Sequence, residues 1–166
     1  MLREIDLPEG IPGKLYRAPM PGRWDWPLDR AMREIDEQGI DLVVSLATMR
    51  EIRTEAPRYA AELEDESLPW ETWDLPVPDG GIPEDEEEFL DLARDLAEEL
   101  RDGANVLIHC YAGVGRTGTL AACTLMALGL GKDEALQAVE EAGAGPETYE
   151  QLRLVDWAAR ALRYDR

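Results

Sequence analysis

Lysine is almost missing from this chain: Lys14 and Lys132 are the only two among seventeen basic residues, set against thirty-six acidic ones. The resulting formal charge of −19 excludes the positive footprint that nucleic acid or an anionic membrane demands of a partner. Cysteine is scarce too. Two cysteines in 166 residues cannot frame a disulfide-stapled domain, and they suit a reducing compartment. With a single histidine beside them there is little to hold a metal, and no metal or other cofactor is expected. Long apolar runs are also absent. The longest, Leu120 to Leu130, is broken by polar and small residues and falls short of the ~20 needed to cross a bilayer. The opening Met1-Leu2-Arg3-Glu4-Ile5-Asp6 alternates charges and carries no apolar signal stretch. These absences predict a soluble, cytoplasmic protein, expected to be monomeric.

What is present fits one domain over residues 1–166, with an ordinary 45% of hydrophobic residues and no repeat or low-complexity linker. Extended segments are expected at Leu15–Arg17, Asp41–Leu46, Trp70–Asp74 and Asn105–His109. Helices are expected at Leu28–Gln38, Pro57–Glu64, Pro83–Arg101, Thr117–Leu128, Lys132–Ala142 and Glu147–Leu162. Strands alternating with helices predict an α/β fold with a central, mostly parallel sheet flanked by helices. The acidic run Glu84-Asp85-Glu86-Glu87-Glu88 reads as a helix first turn after Pro83, where carboxylates oppose the dipole favourably. Phe89, Ala93, Leu96 and Leu100 then repeat at helical spacing. Trp24 and Trp26 are expected to cover the edge of the core.

The densest chemistry lies in His109-Cys110-Tyr111-Ala112-Gly113-Val114-Gly115-Arg116-Thr117-Gly118. The apolar Val106-Leu107-Ile108 before it predicts a strand, a tight loop and then a helix. Gly113 and Gly115 permit backbone angles that turn N–H groups inward, and the helix end adds free donors and its positive dipole end. The same field favours the thiolate of Cys110, which is the nucleophilic form. Arg116 offers a planar fork of donors that fits two oxygens of a phosphoryl group at once. A site of this kind belongs at the carboxyl end of a central strand, where open α/β sheets place their ligands.

This string, His-Cys-x5-Arg-Thr, resembles the signature of the cysteine-dependent protein tyrosine phosphatase superfamily. It looks most like the compact dual-specificity and small prokaryotic tyrosine phosphatases. The resemblance is strongest over residues 106–120 and implies a tyrosine-phosphatase-like fold. It implies Cys110 as nucleophile, Arg116 as the phosphoryl clamp and Thr117 as the hydroxyl that stabilises the leaving thiolate. The backbone of Tyr111, Ala112, Gly113, Val114, Gly115 and Arg116 would cradle the phosphate, with His109 supporting the loop by hydrogen bonding. Hydrolysis would run through a thiophosphate intermediate on a phosphorylated protein or peptide.

The leaving oxygen needs a proton, and Asp79 in Val77-Pro78-Asp79-Gly80-Gly81-Ile82-Pro83 is the expected general acid. Pro-Asp-Gly-Gly is a turn signal, and its similarity to the family's acid loop favours Asp79 over Asp74. Val77 stands where the larger tyrosine phosphatases carry tryptophan. Gln151 matches a glutamine that family members often place near the site, where it could position water; a solvated helix residue is the other reading. Phosphotyrosine is the expected substrate, with phosphoserine and phosphothreonine open. An inositol phosphate or phosphoinositide is a second substrate class, which the neutral Tyr111, Ala112 and Val114 disfavour. A silent phosphate-binding module is a third reading. Arsenate reduction would need resolving thiols, and only Cys123 is available, read as a packed small hydrophobe.

Overall fold

The computed structural model describes residues 1–163. In chain order they form β1 (Arg3–Ile5), β2 (Lys14–Ala18), α1 (Leu28–Glu37), β3 (Leu42–Ser45), α2 (Met49–Glu55) and α3 (Pro57–Glu64). There follow β4 (Glu71–Asp74), α4 (Glu86–Arg101), β5 (Asn105–His109), α5 (Gly115–Ala127), α6 (Lys132–Glu141) and α7 (Tyr149–Arg163). The strands make one sheet in the order β1-β2-β5-β3-β4. β2, β5, β3 and β4 run parallel, and β1 joins the edge antiparallel.

Central position explains the unbroken apolar run of β5, since a strand covered on both faces needs no polar alternation. Val106 and Ile108 enter one core with α4, α5, α6 and α7, whereas Leu107 packs on the other face with Ala31 and Ile35 of α1. A third cluster, with Ile52 of α2 and Tyr59 and Ala60 of α3, extends that second face. Helix α5 lies within the first layer, and residues 115–126 are buried throughout. The α/β expectation with a mostly parallel sheet therefore holds.

Several local expectations are corrected. β1 was not foreseen; it is three residues long and buries Ile5 alone. α2 was not foreseen either, although Thr48 and Glu51 form a reciprocal capping box at its start. The acidic helix begins after Asp85, whose carboxylate accepts the N–H groups of Glu87 and Glu88, and not at Pro83. α5 begins at Gly115, two residues before the expected Thr117, and α7 at Tyr149 instead of Glu147. Trp26 is fully buried with its indole N–H on Glu34, but Trp24 is 80% exposed and covers nothing. No helix among the described residues is long and apolar enough to cross a membrane.

Candidate active site

Cys110 follows β5 directly and is only 3% exposed, at the start of the turn into α5. The loop is polarised, with its carbonyls held outward one by one. His109 Nδ1 donates to the Cys110 carbonyl at 3.0 Å, and the Met20 N–H to that of Tyr111 at 2.9 Å. The buried Arg17 donates from Nε to the Gly113 carbonyl at 2.7 Å and from Nη2 to that of Ala112 at 3.4 Å. The Val114 carbonyl accepts the N–H groups of Gly118 and Gly145, at 2.8 and 3.1 Å. No acceptor among the described residues takes a bond from the backbone N–H groups of residues 111–116, and α5 has no side-chain cap. Carbonyls out and amides free make an anion-binding concavity. Gly113 is indispensable to that shape: its φ is +75°, and a Cβ there would collide with the Ala18 carbonyl.

Arg116 stands at the first turn of α5 with its side chain 2% exposed. Glu51 holds it in a fork, Oε2 to Nη1 at 2.8 Å and Oε1 to Nη2 at 2.9 Å. The Val77 carbonyl accepts from Nη1 at 2.9 Å, and Asp79 Oδ1 from Nη2 at 3.3 Å. Burial by itself would raise the Glu51 carboxyl. The hydrogen bonds from Arg116 and Thr48 outweigh it and hold the group below the ordinary carboxylate range. For Arg116 burial pulls down, but Glu51, with Cys110 and Asp79, leaves the guanidinium raised. Asp79 itself is 79% exposed, carried on a turn in which Gly81 N–H bonds the Pro78 carbonyl at 2.8 Å and Gly80 has φ +72°. One anchor of that segment is the buried Val77, whose N–H bonds the Leu46 carbonyl at 2.9 Å.

His109 is fully buried, and burial lowers its pKa to about 4, so the ring is neutral at pH 7. Since the Cys110 carbonyl can only accept, Nδ1 carries the proton, and Nε2 accepts from the Tyr59 hydroxyl at 2.8 Å. That assigns His109 a supporting place and no proton to exchange near neutrality. Thr117 Oγ1 is buried without a hydrogen-bond partner, in the first turn of α5 and seven residues after the candidate nucleophile. Cys123, packed inside α5, has its thiol pushed up to about 12 by burial, which leaves it inert.

Comparison with known proteins bears on what this geometry serves. The family model for the Swiss Army Knife protein, DSP-PTPase phosphatase domain, matches residues 28–162. The chain belongs to that phosphatase family.

Among curated relatives of this dual-specificity-type phosphatase domain, cyclin-dependent kinase inhibitor 3 of Rattus norvegicus is 43% identical over 53 residues. That stretch is 32% of this chain and 24% of the relative. Dual specificity protein phosphatase CDC14B of Mus musculus is 46% identical over 55 residues, 32% of this chain and 10% of that one. The chain thus matches about a quarter or less of these relatives' length. A solved structure of Tk-PTP in the active form is 30% identical, covering 89% of this chain and 91% of that one with a TM-score of 0.66. Kinase associated phosphatase, at 20% identity and TM-score 0.82 over 98% and 96% of the two chains, shares the fold.

Within this DSP-PTPase domain, Cys110, Arg116, Asp79, Thr117 and His109 come together around the one loop. Asp74 does not; it is exposed at the end of β4. Gln151 is 1% exposed, its Oε1 accepting the Glu147 N–H at 2.8 Å and its Nε2 donating to the Gly81 carbonyl at 3.1 Å. It is therefore no solvated helix residue but a tie between α7 and the segment that carries Asp79. Sequence reasoning missed Glu51, Arg17 and Tyr59. The Thr48-Met49-Arg50-Glu51 spacing marks a helix start; nothing in the string says that its carboxylate also reaches Arg116.

Proposed function

We propose that this domain hydrolyses phosphotyrosine, and also phosphoserine and phosphothreonine, in proteins through a cysteinyl-phosphate intermediate. The observation that carries the reading is the polarity of the loop, with its carbonyls bonded outward and its amides unclaimed beside a forked cation. In the first displacement the Cys110 thiolate forms a bond to phosphorus while the bond to the leaving oxygen breaks. Asp79 gives its proton to that oxygen. The loop amides and Arg116 stabilise the charge spread over the equatorial oxygens. In the second displacement a water attacks phosphorus, Asp79 takes its proton, and the sulfur leaves as thiolate. The unpartnered Thr117 hydroxyl is suited to donate to that sulfur. Gln151 positions the acid segment through Gly81. Neutral side chains at Tyr111, Ala112 and Val114 provide charge for one phosphate, which favours a phosphoprotein over an inositol polyphosphate.

A substrate panel of phosphotyrosine, phosphoserine and phosphothreonine peptides, p-nitrophenyl phosphate and inositol polyphosphates tests the reading. Cys110→Ser is expected to lose on the order of a thousandfold or more on every substrate turned over. Asp79→Asn should lose roughly 10²–10⁴-fold on phosphopeptides and less on p-nitrophenyl phosphate, whose leaving group needs little protonation. Full activity in Cys110→Ser, or phosphopeptide turnover untouched in Asp79→Asn, would overturn the corresponding assignment.

A further inference from the structure

Three guanidiniums lie close enough to Cys110 for their charges to couple with its sulfur: Arg116 of α5, Arg23 of the turn after β2, and Arg17 of β2. Two of them arrive with a counter-charge. Glu51 forks Arg116, and Asp25 forks Arg23, at 2.7 Å from Nε and 2.6 Å from Nη2. Arg17 has none. It is only 8% exposed, yet among the described residues no carboxylate pairs with it. Its partners are the carbonyls of Gly113, Ala112 and Ala142, which engage its donors and leave its charge unmet. The neighbouring strand makes matters worse. Arg3 stands opposite Arg17 in the β1–β2 register, and both guanidiniums gather beside Gly143; facing like charges destabilise a ladder. Burial and Arg3 pull the Arg17 pKa down, and only the charge of Cys110 opposes them. A buried cation without a counter-charge is costly, in a chain with thirty-six acidic residues to draw on. The missing anion is therefore to be sought in the loop that Arg17 grips.

We propose that Arg17 is a positioning residue whose unpaired charge, held on the carbonyl side of the loop, stabilises the anion on the amide side. That anion is the Cys110 thiolate at rest and a bound oxyanion during turnover. Arg17 acts through the two peptide groups it holds. Drawing density onto the Ala112 and Gly113 carbonyls makes the N–H groups of Gly113 and Val114 stronger donors. The remaining charged groups around Cys110 do not do this. Glu51 and Asp79 engage Arg116, Glu147 lies against Gly115, and His109 is neutral at pH 7. The inference rests on the phosphatase reading of the loop and adds to it a residue that never touches substrate.

The test reads ionisation and anion binding without turnover. Alkylation of Cys110 by neutral iodoacetamide is followed between about pH 4 and 9, with Cys110→Ser marking the signal, and tungstate affinity is measured by calorimetry. Arg17→Met, which keeps the volume and loses the charge, should raise the alkylation midpoint by about one pH unit and weaken tungstate about tenfold. Arg17→Lys keeps the charge without the fork, and both values should stay near wild type. Arg3→Glu changes an exposed position away from the loop and sets a carboxylate opposite Arg17. It should move both values in the direction of Arg17→Met, by about threefold, and it decides the matter if Arg17→Met does not fold. A wild-type chain whose sulfur ionises at the ordinary ~8.5 and binds no tungstate overturns the phosphatase reading and this proposal with it. If wild type ionises low and binds tungstate, three results overturn the proposal alone. They are an unchanged Arg17→Met, an Arg17→Lys as impaired as Arg17→Met, and an Arg3→Glu that leaves both values untouched.

Discussion

Glu51 serves two structures at once. Its Oε2 accepts the Thr48 N–H at 2.9 Å as half of the capping box, and both its oxygens hold the Arg116 fork. Glu51→Gln should therefore leave a buried cation half-paired. We expect a loss of roughly 1–3 kcal/mol in a urea melt and about a tenfold fall in kcat/KM on phosphopeptides; unchanged values for both would remove Glu51 from the site. His109 makes a second testable point. Its folded pKa, about 4, lies below the ordinary 6.5, so the unfolded chain binds the extra proton between those values. Stability from this residue is complete above pH 6.5 and drains as pH falls toward 4, on the order of 3 kcal/mol in all. The lowered Glu51 carboxyl adds a further loss below its ordinary 4.5. Melting midpoints of His109→Asn should consequently be flatter than wild type across pH 4–6.5. Cys110, Arg116 and Thr117 were legible because they are neighbours in one decamer, where spacing alone fixes their relation. Glu51 and Arg17 were not, because they reach the loop from 65 and 96 positions away along the chain.

At the scale of elements, helix α3 ends in a Schellman arrangement, with Ser67 N–H on the Glu62 carbonyl at 3.1 Å and Glu66 N–H on that of Leu63 at 3.3 Å. Its left-handed position holds Glu66, where glycine is favoured, at a cost of about 1–2 kcal/mol. Glu66→Gly should thus raise Tm by about 2–8 °C in differential scanning calorimetry; a fall would mean that the side chain itself contributes more than the backbone loses. The strand–loop–helix around Cys110 and the amphipathic α4 were readable from periodicity and glycine placement. β1 was not, because three residues with one buried side chain carry no alternation to detect. α2 was hidden by its length of seven residues and a single buried side chain, Ile52. The early start of α5 at Gly115 has the same kind of cause: a helix whose first donors face an anion site has no capping residue to announce it.

For the molecule as a whole, α/β layering followed from the alternation of strand-like and helix-like segments, but sheet order came only from pairing between distant strands. Charge acts at this scale too. Under the proposed function, a surplus of nineteen negative charges opposes the approach of an anionic substrate. Stopped-flow association of a phosphopeptide should accelerate as salt is added over the range where the Debye length falls from ~30 to ~10 Å. A rate that drops instead would require a positive approach path. The N-terminal strands have a consequence for anyone trimming the protein. Arg3 bonds the Glu141 carbonyl, β1 backs β2, and Arg17 of β2 clasps the loop that follows Cys110. Cutting a fragment at residue 28, where the family likeness begins, would keep the entire decamer and discard the brace that shapes it. Such a truncation would look intact by motif and be slack where rigidity matters.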